Sequence, residues 1–185
     1  MRPRPWLLLP LLLATTAAPA LPASRTIELI LDASGSMNAA LPSGETRLAA
    51  AKAAVAKIVP TLPGDTTLAF RAYGFQSPRD KHDCDDTALL VPFAAASGNG
   101  ATVVKAARLL NAQGYTPISR VIRLAAADLA ATEPGNERVI LLVSDGKETC
   151  DTDPCATARA LKAADASLVI HAIGFEVDSG ARGEL

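Results

Sequence analysis

Asp32, Ser34 and Ser36 stand two residues apart in the run Asp-Ala-Ser-Gly-Ser-Met at 32–37, and two further segments add Thr116, in Gly-Tyr-Thr-Pro, and Asp145, in Val-Ser-Asp-Gly-Lys-Glu-Thr-Cys. Two carboxylates and three hydroxyls are all hard oxygen donors. That is the ligand chemistry of Mg²⁺ or Mn²⁺, with Ca²⁺ third, and not the nitrogen and sulfur set of zinc. Mg²⁺ takes six oxygens at about 2.0–2.1 Å and keeps some waters, so these side chains leave at least one position for an outside ligand. An acidic group suits that position. A lone D-x-S-x-S is equally a turn whose side chains satisfy backbone groups. It is the addition of Thr116 and Asp145 that makes a metal site the expectation.

The elements that would have to bring these residues together can be read from hydrophobic pattern. Thr26–Leu31 is a β-branched and aliphatic run that ends at Asp32 and gives way to small polar residues, the signature of a buried strand entering a loop. Thr46–Val59 puts Leu48, Ala51, Val55 and Ile58 on one helical face, with Arg47, Lys52 and Lys57 elsewhere, and stops at Pro60. Thr67–Phe75 and Ala88–Phe93 read as strands joined by a polar stretch too short for a crossover helix, so an antiparallel hairpin is expected. Helices follow over Gly100–Leu110 and from Pro117 to about Ala131, the second opened by a proline. Arg138–Ser144 is a continuous aliphatic run, as in a strand covered on both faces, and it ends at Asp145. A helix over Pro154–Ala164, capped by Asp153, leads to a last strand at Ser167–Phe175. The order predicts an α/β fold: a doubly wound, mostly parallel open sheet with one antiparallel edge strand and its ligand crevice at the carboxyl ends of the strands. Asp32, Thr116 and Asp145 then share one rim. The sequence ends just after that last strand, so the domain is expected to be short at its C-terminus, as a fragment or a shortened domain.

With DASGSM at 32–37, GYTP at 114–117 and VSDGKETC at 143–150 in place, the chain resembles the von Willebrand factor A domain family, and these segments together resemble its metal-ion-dependent adhesion site. The resemblance extends from the first strand to the fifth. It implies that Ser34, Ser36 and Thr116 touch the metal through their hydroxyls, while Asp32 and Asp145 largely hold waters. It also implies that a carboxylate of a partner protein completes the coordination.

Residues 1–23 carry Arg2 and Arg4 ahead of an apolar run from Trp6 to Leu13 and then small residues, the layout of a secretory signal, with the mature domain expected over 24–185. The apolar run falls short of the roughly 20 residues a bilayer span needs, so no membrane span is expected after cleavage. Periplasm or extracellular space is the expected location. Without Arg2 and Arg4 there are 16 basic residues against 19 acidic ones, which provides no basic field for nucleic acid. Charged residues at 20% and hydrophobic residues at 49% exclude intrinsic disorder, and aromatics at 4% leave the core to Ala, Leu, Val and Ile.

Export makes disulfides permissible. Cys150 and Cys155, close together in CDTDPC, are the favoured pair, while Cys84 would need one of these two or a partner beyond residue 185, so the pairing stays open. His171 reads as a packed strand residue, and the cluster Asp80, His82, Asp83, Asp85 and Asp86 as a solvated hairpin loop in preference to a Ca²⁺ site. Ser36 makes a poor nucleophile, since no G-x-S-x-G surrounds it and both histidines lie in other elements. The first functional expectation is therefore a non-enzymatic, metal-dependent protein-binding module. The alternatives are a phosphoryl-transfer enzyme with Asp32 as nucleophile, which would find Ser34 where such phosphatases carry a general acid, and a structural domain with an empty site.

Overall fold

The computed structural model describes residues 24–134, 136–150 and 153–174, so the expected leader over residues 1–23 lies outside the described residues. Five strands and four α-helices follow one another as β1 (Arg25–Asp32), α1 (Arg47–Ile58), β2 (Thr67–Tyr73), β3 (Thr87–Ala95), α2 (Ala96–Leu109), α3 (Ile118–Ala130), β4 (Glu137–Ser144), α4 (Pro154–Ala164) and β5 (Leu168–Gly174). The sheet order is β3-β2-β1-β4-β5. Strand β1 pairs in parallel with β2 and β4, β4 pairs in parallel with β5, and β2 pairs with β3 antiparallel. The chain therefore builds outward from β1 in one direction and then returns to build outward in the other. That reversal, between β1 and β4, is the switch point at which an open α/β sheet leaves a crevice.

Alternation along β1 creates two cores. Ile27, Leu29 and Leu31 pack with Leu48, Ala51 and Val55 of α1 and with Val103 and Ala107 of α2. On the other face Ile30 meets Val121, Ile122, Ala125 and Leu129 of α3, with Leu161 of α4 packed alongside. Helices thus cover both faces, as the pattern of strands and helices requires. Helix α1 starts where Thr46 accepts a hydrogen bond from the Ala49 amide, and α4 where Asp153 accepts one from the Ala156 amide. Each cap satisfies an amide that the first helical turn leaves without a partner.

Three sequence expectations need correction here. Helix α2 begins at Ala96, before Gly100, because Asn99 anchors that first turn by donating to the carbonyls of Leu68 and Pro92. Ile58, placed on the apolar face of α1, is 45% exposed; the chain tightens into a 3-10 turn at Val59–Thr61, and Val59 is buried in its place. His171 is exposed, since β5 is the edge of the sheet and only Leu168 of that strand is buried.

Candidate metal centre at the switch point

The rim at the carboxyl ends of β1 and β4 is assembled by backbone contacts. Ser34 forms an isolated parallel bridge with Gly114, and the Gly35 amide donates to the Gly114 carbonyl at 3.0 Å. Gly74, just past β2, accepts at its carbonyl from the amides of Gln113 and Gly114. A reciprocal pair holds Thr116: its amide donates to the Thr149 hydroxyl at 2.8 Å, and the Thr149 amide donates back to the Thr116 carbonyl at 3.1 Å. The loops after β1, before α3 and after β4 are therefore tied to one another around the switch point.

Within this frame the side chains converge. Ser34 Oγ and Ser36 Oγ are 3.1 Å apart, and Ser36 Oγ donates to Asp145 Oδ1 at 2.8 Å. Thr116 faces the same spot: a Cβ added at Gly146 would lie 3.5 Å from Ser36 Oγ and 3.8 Å from Thr116 Oγ1. Asp32 sits deeper, with Oδ1 accepting from the Ser34 amide at 2.7 Å and Oδ2 from Ser144 Oγ at 2.6 Å. Ser144 is held in turn by Tyr73, whose hydroxyl lies 3.2 Å away. Asp32, Ser34, Thr116 and Asp145 are all buried, and Ser36 is half-buried at the mouth.

Burial in this environment raises the Asp32 carboxyl above its ordinary value, against the lowering effect of its bonds to Ser144 and Ser34. Burial, with Asp32 close by, pushes the Tyr73 phenol well above its own. Both shifts describe a buried place that disfavours uncompensated negative charge. The donor set suits a small hard ion. Oxygens held at 2.0–2.1 Å around an octahedral Mg²⁺ stand about 2.9 Å from one another, close to the hydroxyl and carboxylate separations found here. No cluster of three or more His, Cys, Asp or Glu side chains suited to a metal occurs among the described residues, which leaves the mixed hydroxyl and carboxylate rim as the candidate.

Several residues at the site escape sequence reasoning. Arg47, the first residue of α1, donates from Nη1 to Asp145 Oδ2 at 2.5 Å. Glu148 accepts from the amides of Ser119 and Cys150. Cys150 is bridged to Cys84 and not to Cys155, which corrects the expected pairing. Helix α4 begins at Pro154 and fixes Cys155 in its first turn, whereas the loop between β2 and β3 brings Cys84 to a Cα–Cα distance of 5.9 Å from Cys150. In that same loop Asp86 accepts from the amides of Gln76 and Ser77, and Asp83 from the Ser77 hydroxyl, so these carboxylates organise the loop. His82 stacks on Tyr115 with ring centroids 4.1 Å apart, and the Arg79 guanidinium lies 5.3 Å from the same ring.

A doubly wound sheet with an antiparallel edge and an aspartate–serine–threonine rim at its switch point defines the class. The sequence pattern of the von Willebrand factor type A domain matches residues 27–148, and the chain belongs to that family. YwmD of Bacillus subtilis is 27% identical over 176 residues, spanning 91% of this chain and 77% of that protein. Among solved structures, the pilus adhesin SpaC of Lactobacillus rhamnosus GG superposes with a TM-score of 0.67 at 17% identity over 84% of this chain. Proximal thread matrix protein 1 from the mussel byssus, solved with a zinc-occupied MIDAS motif, has a TM-score of 0.59 at 22% identity over 82% of this chain. The present chain spans only 25% and 36% of those two solved chains, and at these identities they show a common fold.

Proposed function

We propose that this domain is a non-enzymatic, metal-dependent protein-binding module. Ser34, Ser36 and Thr116 would hold a divalent cation, Mg²⁺ or Mn²⁺, through their hydroxyl oxygens, with Asp32 and Asp145 supplying charge largely through bound water. When bound, the ion supplies a Lewis-acidic position that a carboxylate of a partner protein completes. The observation that carries the reading is the chain of oxygens Ser34 Oγ, Ser36 Oγ and Asp145 Oδ1, at octahedral-edge separations, with Thr116 facing the same spot. The zinc-occupied MIDAS motif of the mussel protein is consistent with a divalent ion on this fold.

Recognition without turnover is supported by what the serines touch. Ser36 Oγ donates to Asp145 and neighbours Ser34, and neither histidine is among its partners; His82 is stacked on Tyr115. Ser34 occupies the position at which Asp32-based phosphoryl transfer would need an acid. Export, to the periplasm or beyond the cell, is supported by the signal layout of residues 1–23, by the Cys84–Cys150 bridge, which persists in oxidising compartments, and by the pilus adhesin among the structural neighbours. No described helix is long and apolar enough to cross a membrane.

The test is isothermal titration of Mg²⁺ and Mn²⁺ into metal-stripped protein, beside Asp145→Ala, with the fold of both checked by circular dichroism. Saturable binding that disappears in the variant is the expected result. A folded wild-type protein that binds neither ion overturns the proposal.

A further inference from the structure

One residue along the chain from Thr116, two side chains of the loop between β2 and β3 gather on the ring of Tyr115. The backbone of Tyr115 is anchored on both sides, by Gly114, which bridges to Ser34, and by Thr116, whose amide donates to Thr149. The loop reaches it through a short 3-10 turn, Arg79–Lys81, closed by the His82 amide on the Arg79 carbonyl at 3.3 Å. Residues three apart in such a turn stand on one side, which sends Arg79 and His82 to the same ring. His82 stacks there with the ring planes 30° apart, and the Arg79 guanidinium lies over the ring. To do so His82 adopts φ +48, a backbone conformation that most side chains avoid. The rest of the loop is braced: Asp86 accepts from the Gln76 and Ser77 amides, Asp83 from the Ser77 hydroxyl, and Asp85 pairs with Arg120. Cys84 ties it to Cys150, the residue after the Thr149 that holds Thr116.

We propose that Arg79, steadied on Tyr115 beside His82, is a second anchor next to the metal centre that takes a further carboxylate of the partner, so that the preferred partner is an acidic segment carrying at least two carboxylates. The inference rests on the metal-binding reading above for the first of those carboxylates; the Arg79 anchor itself needs no metal. Arg79 is exposed, and a guanidinium over an aromatic face keeps its N–H edge for acceptors. That planar fork matches a carboxylate through two parallel hydrogen bonds, which an ammonium cannot reproduce. Stacking also removes part of the rotamer freedom that a loose surface arginine gives up on binding. Lys81, exposed in the same turn, provides the contrast of a nearby cation with no such support among the described residues. An arginine that merely shapes the loop would move the affinities for metal, one carboxylate and several carboxylates together; an anchor moves only the last.

The experiment compares wild type with Arg79→Gln, Arg79→Lys and Lys81→Gln, each checked for fold by circular dichroism. Mg²⁺ is titrated into the metal-stripped proteins. Two end-blocked peptides, hexa-aspartate and a glycine hexapeptide with a single aspartate, are then titrated with Mg²⁺ and, separately, with EDTA, and followed by amide NMR shifts. Arg79→Gln is expected to weaken hexa-aspartate binding roughly tenfold in Mg²⁺ while moving Mg²⁺ and the single-aspartate peptide less than about twofold. Arg79→Lys should recover only part of the loss, and Lys81→Gln should change hexa-aspartate binding less than about threefold. In EDTA the wild type should retain weak hexa-aspartate binding, with shifts at Arg79, His82 and Tyr115 that vanish in Arg79→Gln. Hexa-aspartate affinity that is unchanged in Arg79→Gln, or lowered equally by Lys81→Gln, overturns the anchor and leaves the metal site standing. A wild type that binds no Mg²⁺ overturns the metal-binding reading, and the EDTA titration then judges Arg79 alone: shifts lost in Arg79→Gln support the anchor, and their absence from wild type overturns it.

Discussion

Replacing Cys84 and Cys150 together by serine removes a bridge between residues 66 apart, and the cost follows from how far that bridge restricts the unfolded chain. Loop-closure entropy for a separation of 66 gives a stabilisation of about 4 kcal/mol at room temperature. A bridge between Cys150 and Cys155, only a few residues apart, would give about 2 kcal/mol. Domains of this kind are stable by roughly 5–15 kcal/mol, so the longer bridge accounts for a large share of the margin. Urea unfolding of the oxidised wild type, of the Cys84→Ser/Cys150→Ser variant and of Cys155→Ser provides the assay. The double variant should lose about 4 kcal/mol and Cys155→Ser close to nothing. Proteolysis under non-reducing conditions should yield one linked pair of peptides, containing Cys84 and Cys150. A double variant that loses less than about 1 kcal/mol, or a Cys155→Ser variant that loses as much as the double one, refutes the reasoning.

Glu28 is buried in the middle of β1 beside Arg71, with Asp128 on the far side of that arginine, and burial pushes its carboxyl up to about 7 from an ordinary 4.5. The folded protein then keeps a proton that the unfolded chain has released between those values, so stability is fully present below about 4.5 and falls, by at most about 3 kcal/mol, as pH rises to about 7. Urea midpoints across that window should slope downward in wild type and much less in Glu28→Gln; equal slopes would remove Glu28 as the cause. Gly74, at φ +70, has no room for a side chain, since a Cβ would stand 2.8 Å from the Ser34 amide nitrogen and 2.7 Å from the Tyr115 carbonyl. Gly74→Ala should cost at least about 3 kcal/mol and weaken Mg²⁺ binding, whereas Gly44→Ala, at φ +89 in open space, should cost only about 1 kcal/mol. Similar losses in the two variants would count against the close packing of Gly74 on the Ser34 loop.

The strands and helices were legible because their signals are local. The aliphatic run before Asp32, the short polar link between β2 and β3, and Asp153 ahead of Pro154 each act through neighbours in sequence. The expectation of a shared rim followed from the rule that crevices form at the carboxyl ends of parallel strands. What stayed hidden depends on residues meeting across the fold. Arg47 looks like any polar residue off the apolar stripe of α1, and only the return of β4 beside β1 sets Asp145 against it. Tyr73 reads as a residue within a strand and Ser144 as the end of one, yet they form the support beneath Asp32. Cysteines close in sequence suggested a bridge, while the partner of Cys150 arrives from the loop between β2 and β3. His171 was misjudged because a place inside a strand does not bury a residue when that strand stands at the end of the sheet order.

The Cys84–Cys150 bridge also changes what happens when the molecule is pulled. Tension applied at the two ends of the chain passes through the sulfur atoms, so β3, α2, α3 and β4 lie inside a covalent ring that force cannot unravel. About 220 Å of contour length is withheld from extension in this way, at roughly 3.3–3.6 Å per residue over a separation of 66. Thr116 lies within that ring, with Asp32, Ser34 and Ser36 on the arm before it. Under load the domain can lengthen only through its two arms until a reductant cuts the bridge, so its extensibility is set by the redox state of its surroundings.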